Sequence, residues 1–518
     1  MIWKIVKKEF LLNLMTFKFT VGTILCVILV SVFVPVLAKD YQQRLKEYNE
    51  NVAANEAELR KVMVYKNILP TVYRPPNVLS VFSEGVEKRL GTSATISNME
   101  VPEINATSNE INPYMSMFPG MDVSLILRIV FSALALLVAY DVISGEREQG
   151  TLKLILSGTI SRHQVLIGKY LAGLMILIVP VTIVFILALI FLLSFPMIQL
   201  TSSNWSGIVL MYIASLIFIS AIYNLGLFFS TLMKKSSISL VLGLFAWVIF
   251  VAVIPSGSIY LASQISPLES QEKMKHQRAL AMMEARIKYR PMSGKFPNWK
   301  GPKSDARGAF GNSYTVLCSR SCLLDASQAY PLQISVESDY GDRVWKIELT
   351  YIRGLLAQNH LARNIARISP ISIYENVMST FAGSDLGSIQ NFMDNARAYR
   401  NEMMEYIRSK TDNFSTSYFT VCSEQEAFIY DKQHEAIKQA QTESERKQAN
   451  DVLKQFYNET QKKRAALDMT DFPRFTYRPN LTGNFKRAIP DLILLVFINA
   501  LLFALSFATF MRYDVRAD

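Results

Sequence analysis

The chain has 518 residues, of which 50% are hydrophobic and 19% charged, with a formal net charge of +11 and a positive mean hydropathy. That balance argues against a purely soluble enzyme and for a membrane protein with large polar parts. The positive excess does not call for nucleic acid, because much of it lies in one long segment between two apolar runs, and no nucleic-acid partner is expected.

The N-terminal stretch MIWKIVKKEFLLNLMTF places Ile2, Ile5, Val6 and Phe10 at helical spacing, with Lys4, Lys7, Lys8 and Glu9 between them. That spacing predicts an amphipathic helix over residues 1–18, lying on membrane lipid at the cytosolic face. A simple basic flank to the first span is the plainer alternative.

Crossing a bilayer takes roughly 20 apolar residues. Six runs qualify: residues 19–38, 123–142, 171–195, 207–230, 238–255 and 489–511. The first is too long for a signal-peptide core and lacks a small-x-small cleavage site, so it reads as an anchor. Arg128, near the start of the second run, is expected to snorkel to the headgroups. Asn224 and Asn499 are candidates for hydrogen bonds between spans.

Two insertions separate the runs. In the first, residues 39–122, Asp40–Val62 continues the helix of the first span until Pro70, Pro75 and Pro76 break it. Val78–Leu90 is a short amphipathic element, and Val101–Gly120 is irregular. In the second, residues 256–488, Leu261–Arg290 is helical with an interruption near Pro267, and Tyr289–Asn312 is a Pro/Gly-rich loop. Leu332–Asp339 alternates like a strand. Trp345–Ile368 and Asp385–Lys410 are helical, and Glu424–Met469, without Gly or Pro, reads as one long solvated helix. The fold class is therefore an all-α membrane protein with six transmembrane helices and two extracytoplasmic insertions, the larger mainly helical with room for minor β.

Basic residues mark every short connection but one. They are Lys4, Lys7, Lys8 and Lys18 at the N-terminus, Arg147, Lys153, Arg162 and Lys169 in loop 143–170, Lys234 and Lys235 after the fourth span, and Arg512 and Arg516 in the tail 512–518. Pro196–Ser206 has no charge. The positive-inside rule then puts both termini and loop 143–170 in the cytosol, and both insertions outside a plasma (inner) membrane.

Chemistry-bearing motifs are sparse. His163, His276, His360 and His434 are scattered, and Met274, Met282 and Met283 near His276 have the helical spacing of packing residues, so no metal is expected. Cys26 lies in a span. Cys318, Cys322 and Cys422 lie in the second insertion, and their spacing leaves open which two pair, or whether they stay free thiols. Gly168-Lys169 does not complete a phosphate loop, since His163 stands where the first glycine belongs and Tyr170 follows the lysine. No catalytic residues and no cofactor are assigned to this chain.

Loop 143–170 is the most shaped segment. Gly145 and Gly150 allow sharp turns around Glu146, Arg147 and Glu148. Leu152, Leu154, Ile155 and Leu156 make an apolar face that needs a surface to bury against, and Ser161 reads as the N-cap of a helix. Asp141, Glu146, Gly150, Thr151 and Leu152, followed by Ser161, Arg162, Gly168 and Lys169, resemble the D-x-x-x-x-E-x-x-x-G-T-L…S-R…G-K pattern of permease subunits of type-2 ABC exporters. A second stretch, Ile368–Tyr406 with Ser369-Pro370 and Ala382-Gly383-Ser384-Asp385, resembles the large-loop members of that class, as do Phe472–Tyr477 and Arg512-Tyr-Asp-Val-Arg516.

The resemblance implies a permease subunit moving an unidentified substrate, by export, with ATP-Mg bound and hydrolysed on a separate cytosolic ATPase subunit. It implies a second permease subunit, identical or paralogous. It makes the loop residues from Asp141 to Lys169, with the N-terminal helix, the contact for that ATPase, and leaves an extracytoplasmic partner for the large insertion. The rival reading is a non-transporting anchor or sensor whose insertion binds a partner.

Overall fold

Six helices of the computed structural model carry a window long and apolar enough to cross a membrane. The structure describes residues 2–87, 92–97, 103–105, 122–157, 160–296, 317–479 and 481–512. Helix α1 (Ile2–Leu14) turns at Met15-Thr16 into α2 (Phe17–Leu59), where the Thr16 hydroxyl accepts from the Phe19 N–H. At 1.5 Å per residue α2 is about 65 Å long, twice the hydrocarbon thickness of a bilayer. Its charged second half therefore projects beyond the bundle, as the composition of Asp40–Val62 predicts.

The second crossing is α3 (Val123–Ile126), a π-turn over Leu127–Phe131, and α4 (Ser132–Ala139). Two short helices follow, α5 (Ser144–Glu148) and α6 (Thr151–Ser157). The third and fourth crossings are α7 (Arg162–Leu193) and α8 (Ser202–Leu232). The fifth is α9 (Ser236–Val248), a π-turn over Ile249–Val253 and α10 (Ile254–Ile265). The second insertion carries α11 (Gln271–Lys295), α12 (Arg320–Ala366), α13 (Pro370–Ala382), α14 (Leu386–Lys410), α15 (Thr416–Phe419), α16 (Glu424–Gln439) and α17 (Glu443–Lys462). The last crossing is α18 (Leu481–Met511).

Helix α8 is the hub of the bundle and packs against α4, α7, α9, α13 and α18. Small and polar side chains on it, among them Ala214, Ser215, Ser220, Ala221 and Asn224, are buried. Small residues let neighbouring helices approach closely where lipid supplies no hydrophobic drive. Asn224 and Asn499 do bond between spans, and to each other: Asn224 Nδ2 donates to Asn499 Oδ1, and Ser220 Oγ donates to the same oxygen at 3.3 Å.

Four expectations are corrected. The strand at Leu332–Asp339 is the middle of α12, and the strands lie in the first insertion. There β1 (Thr71–Tyr73), β2 (Ser93–Thr95) and β3 (Glu103–Asn105) form an antiparallel sheet with Val72 opposite Ala94 and Ala94 opposite Ile104. Tyr330, Ile334, Glu337, Gly341, Val344 and Glu348 are buried along α12 at spacings of three and four, and this helical stripe mimics alternation over a short window. Glu424–Met469 is two helices, α16 and α17, each opened by a capping box, Ser423 with Glu426 and Thr442 with Glu445. Thr442-x-x-Glu445 was the signal for that break. Arg128 does not snorkel; it pairs with Glu375 of α13.

The second insertion also packs into the bundle. Tyr374 of α13 stacks on Phe218 of α8 at 4.2 Å and shares a hydrogen bond with Ser215 at 2.9 Å. Ile371, Ile373, Val377, Met378 and Ala382 join the same apolar core as the spans. A second core is common to both insertions: Ile68, Val72, Ala94 and Ile96 meet Tyr330, Phe392, Tyr399, Met403 and Phe419. The Pro267 interruption holds, between α10 and α11. The fourth correction is that residues 289–295, expected to open a loop, are the last part of α11; most of Val101–Gly120, the stretch 297–312 and the tail from residue 513 lie outside the described residues.

Candidate functional site

At the end of the bundle opposite the insertions, three elements far apart in sequence converge on one lysine. The Lys169 side chain, in α7, is 3% exposed. Its Nζ donates to Glu146 Oε1 of α5 at 2.7 Å and to Glu9 Oε1 of α1 at 3.1 Å. An ammonium withdrawn from water is tolerable only when paired, and here two carboxylates share it. The neighbouring Gly168 lets α1 lie flat on α7, since a Cβ there would stand 2.9 Å from Ile5 Cγ2. Ile5, Val6 and Phe10 accordingly pack on protein, while Trp3, Leu11 and Leu12 are exposed.

The rest of the loop is tied down residue by residue. Lys18 of α2 donates to Asp141 Oδ2 at 2.7 Å and to the Tyr140 hydroxyl at 2.6 Å. The Ser230 hydroxyl of α8 accepts from the Ile143 and Ser144 N–H groups. Arg147 Nη1 donates to Met233 O, at the carbonyl end of α8, at 3.1 Å. Glu148 Oε2 accepts from the Ser236 N–H at 3.1 Å, at the start of α9. A cation at a helix C-terminus and an anion at an N-terminus both favour the helix dipole. Arg162 Nη1 does the same for α18, donating to Met511 O at 3.0 Å.

Gly145 does not make a turn; it lies inside α5, facing Asp141 and Ser236. Gly150 does, with φ +74°, a left-handed conformation that closes α5. The Thr151 hydroxyl then donates to Glu146 O at 3.2 Å. Leu152 is buried and Ile155 and Leu156 pack on the core, but Leu154 is 74% exposed. Ser161 holds the N-cap backbone position of α7, yet its hydroxyl bonds His163 instead of capping. Glu148, Gln149, Gly150, Leu154 and Ser157 form the exposed tip. Sequence reading missed Glu9, whose signal was being the sole acid in a basic amphipathic helix.

The other end carries the second motif. Ser369 caps α13 and Pro370 opens it, Gly383 (φ +64°) ends it, and Asp385 caps α14. Each residue of S-P…A-G-S-D thus starts or stops a helix. Arg74 Nη2 donates to Gly383 O, and Ser384 Oγ to Ser83 O, which joins the first insertion to this corner. Buried Asp491 of α18 accepts from Arg367 at 2.6 Å and Arg363 at 3.4 Å, and Asp385 accepts from Arg487 of α18. A polar cavity of about 380 Å³ opens here, lined by Arg128, Glu375, Asn376 and Asp122 among others. Burial pushes the Asp122 carboxyl up to about 7. Among the described residues, no three or more His, Cys, Asp or Glu are grouped to hold a metal ion.

No curated protein matches the chain significantly. A family model described as ABC-2 family transporter protein matches residues 3–515. The match spans the bundle, loop 143–170 and both insertions together, so the chain belongs to the ABC-2 transporter family, as a multi-pass permease subunit of an ABC transporter whose kind associates with an ABC ATPase subunit.

Proposed function

We propose that this permease works as an exporter in the plasma (inner) membrane, with both termini and loop 143–170 in the cytosol, and that a separate ATPase subunit, carrying ATP-Mg, seats on the exposed tip at Glu148–Gly150 and Leu154. The observation that carries this reading is the double ion pair of Lys169 to Glu146 and Glu9. Through it a push on α5 is felt by α1 and by α7 together, because the three share one buried charge. Helix α7 packs on α2 and α8, and α8 on α18. At the far end, Asp491 and Arg487 of α18 hold the insertions by ion pairs. Tilting α18 would thus move α12 and the start of α14, and open or close an exit over the cavity by Arg128. Nucleotide binding would shift the population between two such arrangements by its differential affinity for them.

Two permease subunits, identical or paralogous, would complete the pathway, and the large insertion would receive cargo or an extracytoplasmic partner. The test is reconstitution with the ATPase subunit. Leu154→Asp should weaken its co-purification, and Glu146→Ala should leave the complex assembled while cutting transport-stimulated ATP turnover. Normal coupling in both variants would sink the proposal and favour an anchor or sensor.

A further inference from the structure

We propose that Cys318, Cys322 and Cys422 form a thiol–disulfide exchange site in the second insertion, with Cys318 as the shared member of two alternative disulfides. The three come from two places in the chain that the fold brings together. Cys318 stands just before Ser319, the N-cap of α12, and Cys322 lies in the first turn, its N–H donating to Ser319 Oγ at 3.1 Å. Cys422 stands just before Ser423, the N-cap of α16. The Arg320 N–H donates to Asp431 Oδ2 of α16 at 3.0 Å, which ties the start of α12 to the middle of α16.

All three are free thiols, and the Cys318 side chain is in hydrogen-bonding contact with those of Cys322 and Cys422. They lie in one small apolar cluster with Leu317, Leu323, Ala427, Tyr430 and Phe456. Cys318 and Cys422 are buried, and Cys322 is half-buried. The hydrogen bond from Cys318 lowers the thiols of Cys322 and Cys422 to about 7 each, while Cys318 itself is pushed up. Asp325 works against the Cys322 thiolate; Glu426 works against that of Cys422, and Arg464 for it. Two helix N-termini add their partial positive charge. The arrangement therefore sets two readily ionised thiols, one partly exposed and one buried, beside a third thiol that touches both.

An odd number of sulfurs in contact has a consequence that a pair lacks. Any disulfide through Cys318 leaves a third thiol beside it, placed to attack. The reactant is a low-molecular-weight disulfide. The Cys322 thiolate attacks one of its sulfurs, a mixed disulfide forms, and one thiolate leaves. Cys318 then gives its proton to water, attacks the Cys322 sulfur and expels the second thiolate. Two protein thiols are oxidised and one external disulfide is reduced to two thiols. Attack by Cys422 on the Cys318 sulfur next moves the bond to Cys318–Cys422 and frees Cys322, with no net oxidation. The first bond lies within the start of α12; the second ties α12 to α16.

The experiment uses the full chain in detergent, treated with glutathione disulfide near neutral pH, alkylated and mapped by non-reducing peptide mass spectrometry. One intramolecular disulfide per chain is expected, always containing Cys318, divided between the two partners, with two glutathione thiols released. Cys422→Ser should confine the bond to Cys318–Cys322. Cys318→Ser or Cys318→Ala should abolish closure and leave glutathione on Cys322. A wild-type chain that forms no disulfide, or forms Cys322–Cys422, overturns the proposal, as does closure in a Cys318 variant. So does a reduced protein that binds a soft metal ion stoichiometrically and resists oxidation. If the Cys318 variants fail to elute as folded protein, the wild-type and Cys422→Ser maps decide.

Discussion

Lys169 Nζ lies 2.7 Å from Glu146 Oε1, which joins the third crossing to the short helix after the second one through a charge almost wholly removed from solvent. Removing the lysine leaves Glu146 and Glu9 facing each other with nothing between them. Loss of one partner of a buried pair costs about 3–5 kcal/mol. Lys169→Met should therefore lower the unfolding temperature of the solubilised protein markedly. The triple variant Lys169→Met, Glu9→Gln, Glu146→Gln should recover most of that loss. A Lys169→Met protein as stable as wild type would show that water already screens the site.

Asn224 and Asn499 test packing within the bundle. Hydrogen bonds between membrane helices average about 0.6 kcal/mol and reach about 1.7 kcal/mol. Asn224→Ala and Asn499→Ala should each destabilise modestly, and the double variant should lose less than their sum. Strict additivity in a double-mutant cycle on unfolding temperature would mean the two amides do not depend on each other.

Glu337 makes the insertions sensitive to pH. It is 2% exposed, accepts from Gln333 Nε2 at 2.5 Å, and burial raises its carboxyl from 4.5 to about 7 despite the opposing charge of Lys66. The folded form thus holds a proton that the unfolded chain has released. Stability from this group is complete below about 4.5 and falls as pH rises to about 7, beyond which it is flat, at about 1.4 kcal/mol per unit of difference. Thermal unfolding followed by the fluorescence of buried Trp345 should show that slope, and Glu337→Gln should remove it.

Sidedness is open to a direct measurement. Gln439, at the end of α16, is exposed in the second insertion. In a cysteine-free background, Gln439→Cys should react with an impermeant maleimide added to intact cells. Reaction only after the membrane is opened would invert the topology.

The chain should bind no nucleotide by itself. No run of backbone N–H groups with the lysine of a phosphate loop occurs in the sequence, and Lys169, which follows a glycine, is occupied by two carboxylates. Purified alone it should show neither ATPase activity nor saturable binding of a nucleotide analogue. Saturable hydrolysis by the isolated chain would overturn its place as the membrane half of the transporter.

The sequence by itself determined what depends on neighbours along the chain. Apolar runs of sufficient length became six crossings because the backbone must satisfy its hydrogen bonds internally in lipid. The glycine at 150, the end of one helix near Ile368, the start of another at Asp385 and the Pro267 interruption were legible because caps and turns are local chemistry. Tertiary structure alone decided what depends on where distant segments meet. Nothing local says that Glu9 and Glu146 share Lys169, that Arg128 turns to Glu375, that α13 wedges into the spans, or that Cys422 reaches Cys318. In each case a buried charge, an apolar face or a thiol is settled by a partner far along the chain. Local periodicity over eight residues also cannot separate a strand from one stripe of a long helix, which is why Leu332–Asp339 misread and only the packing of α12 corrected it.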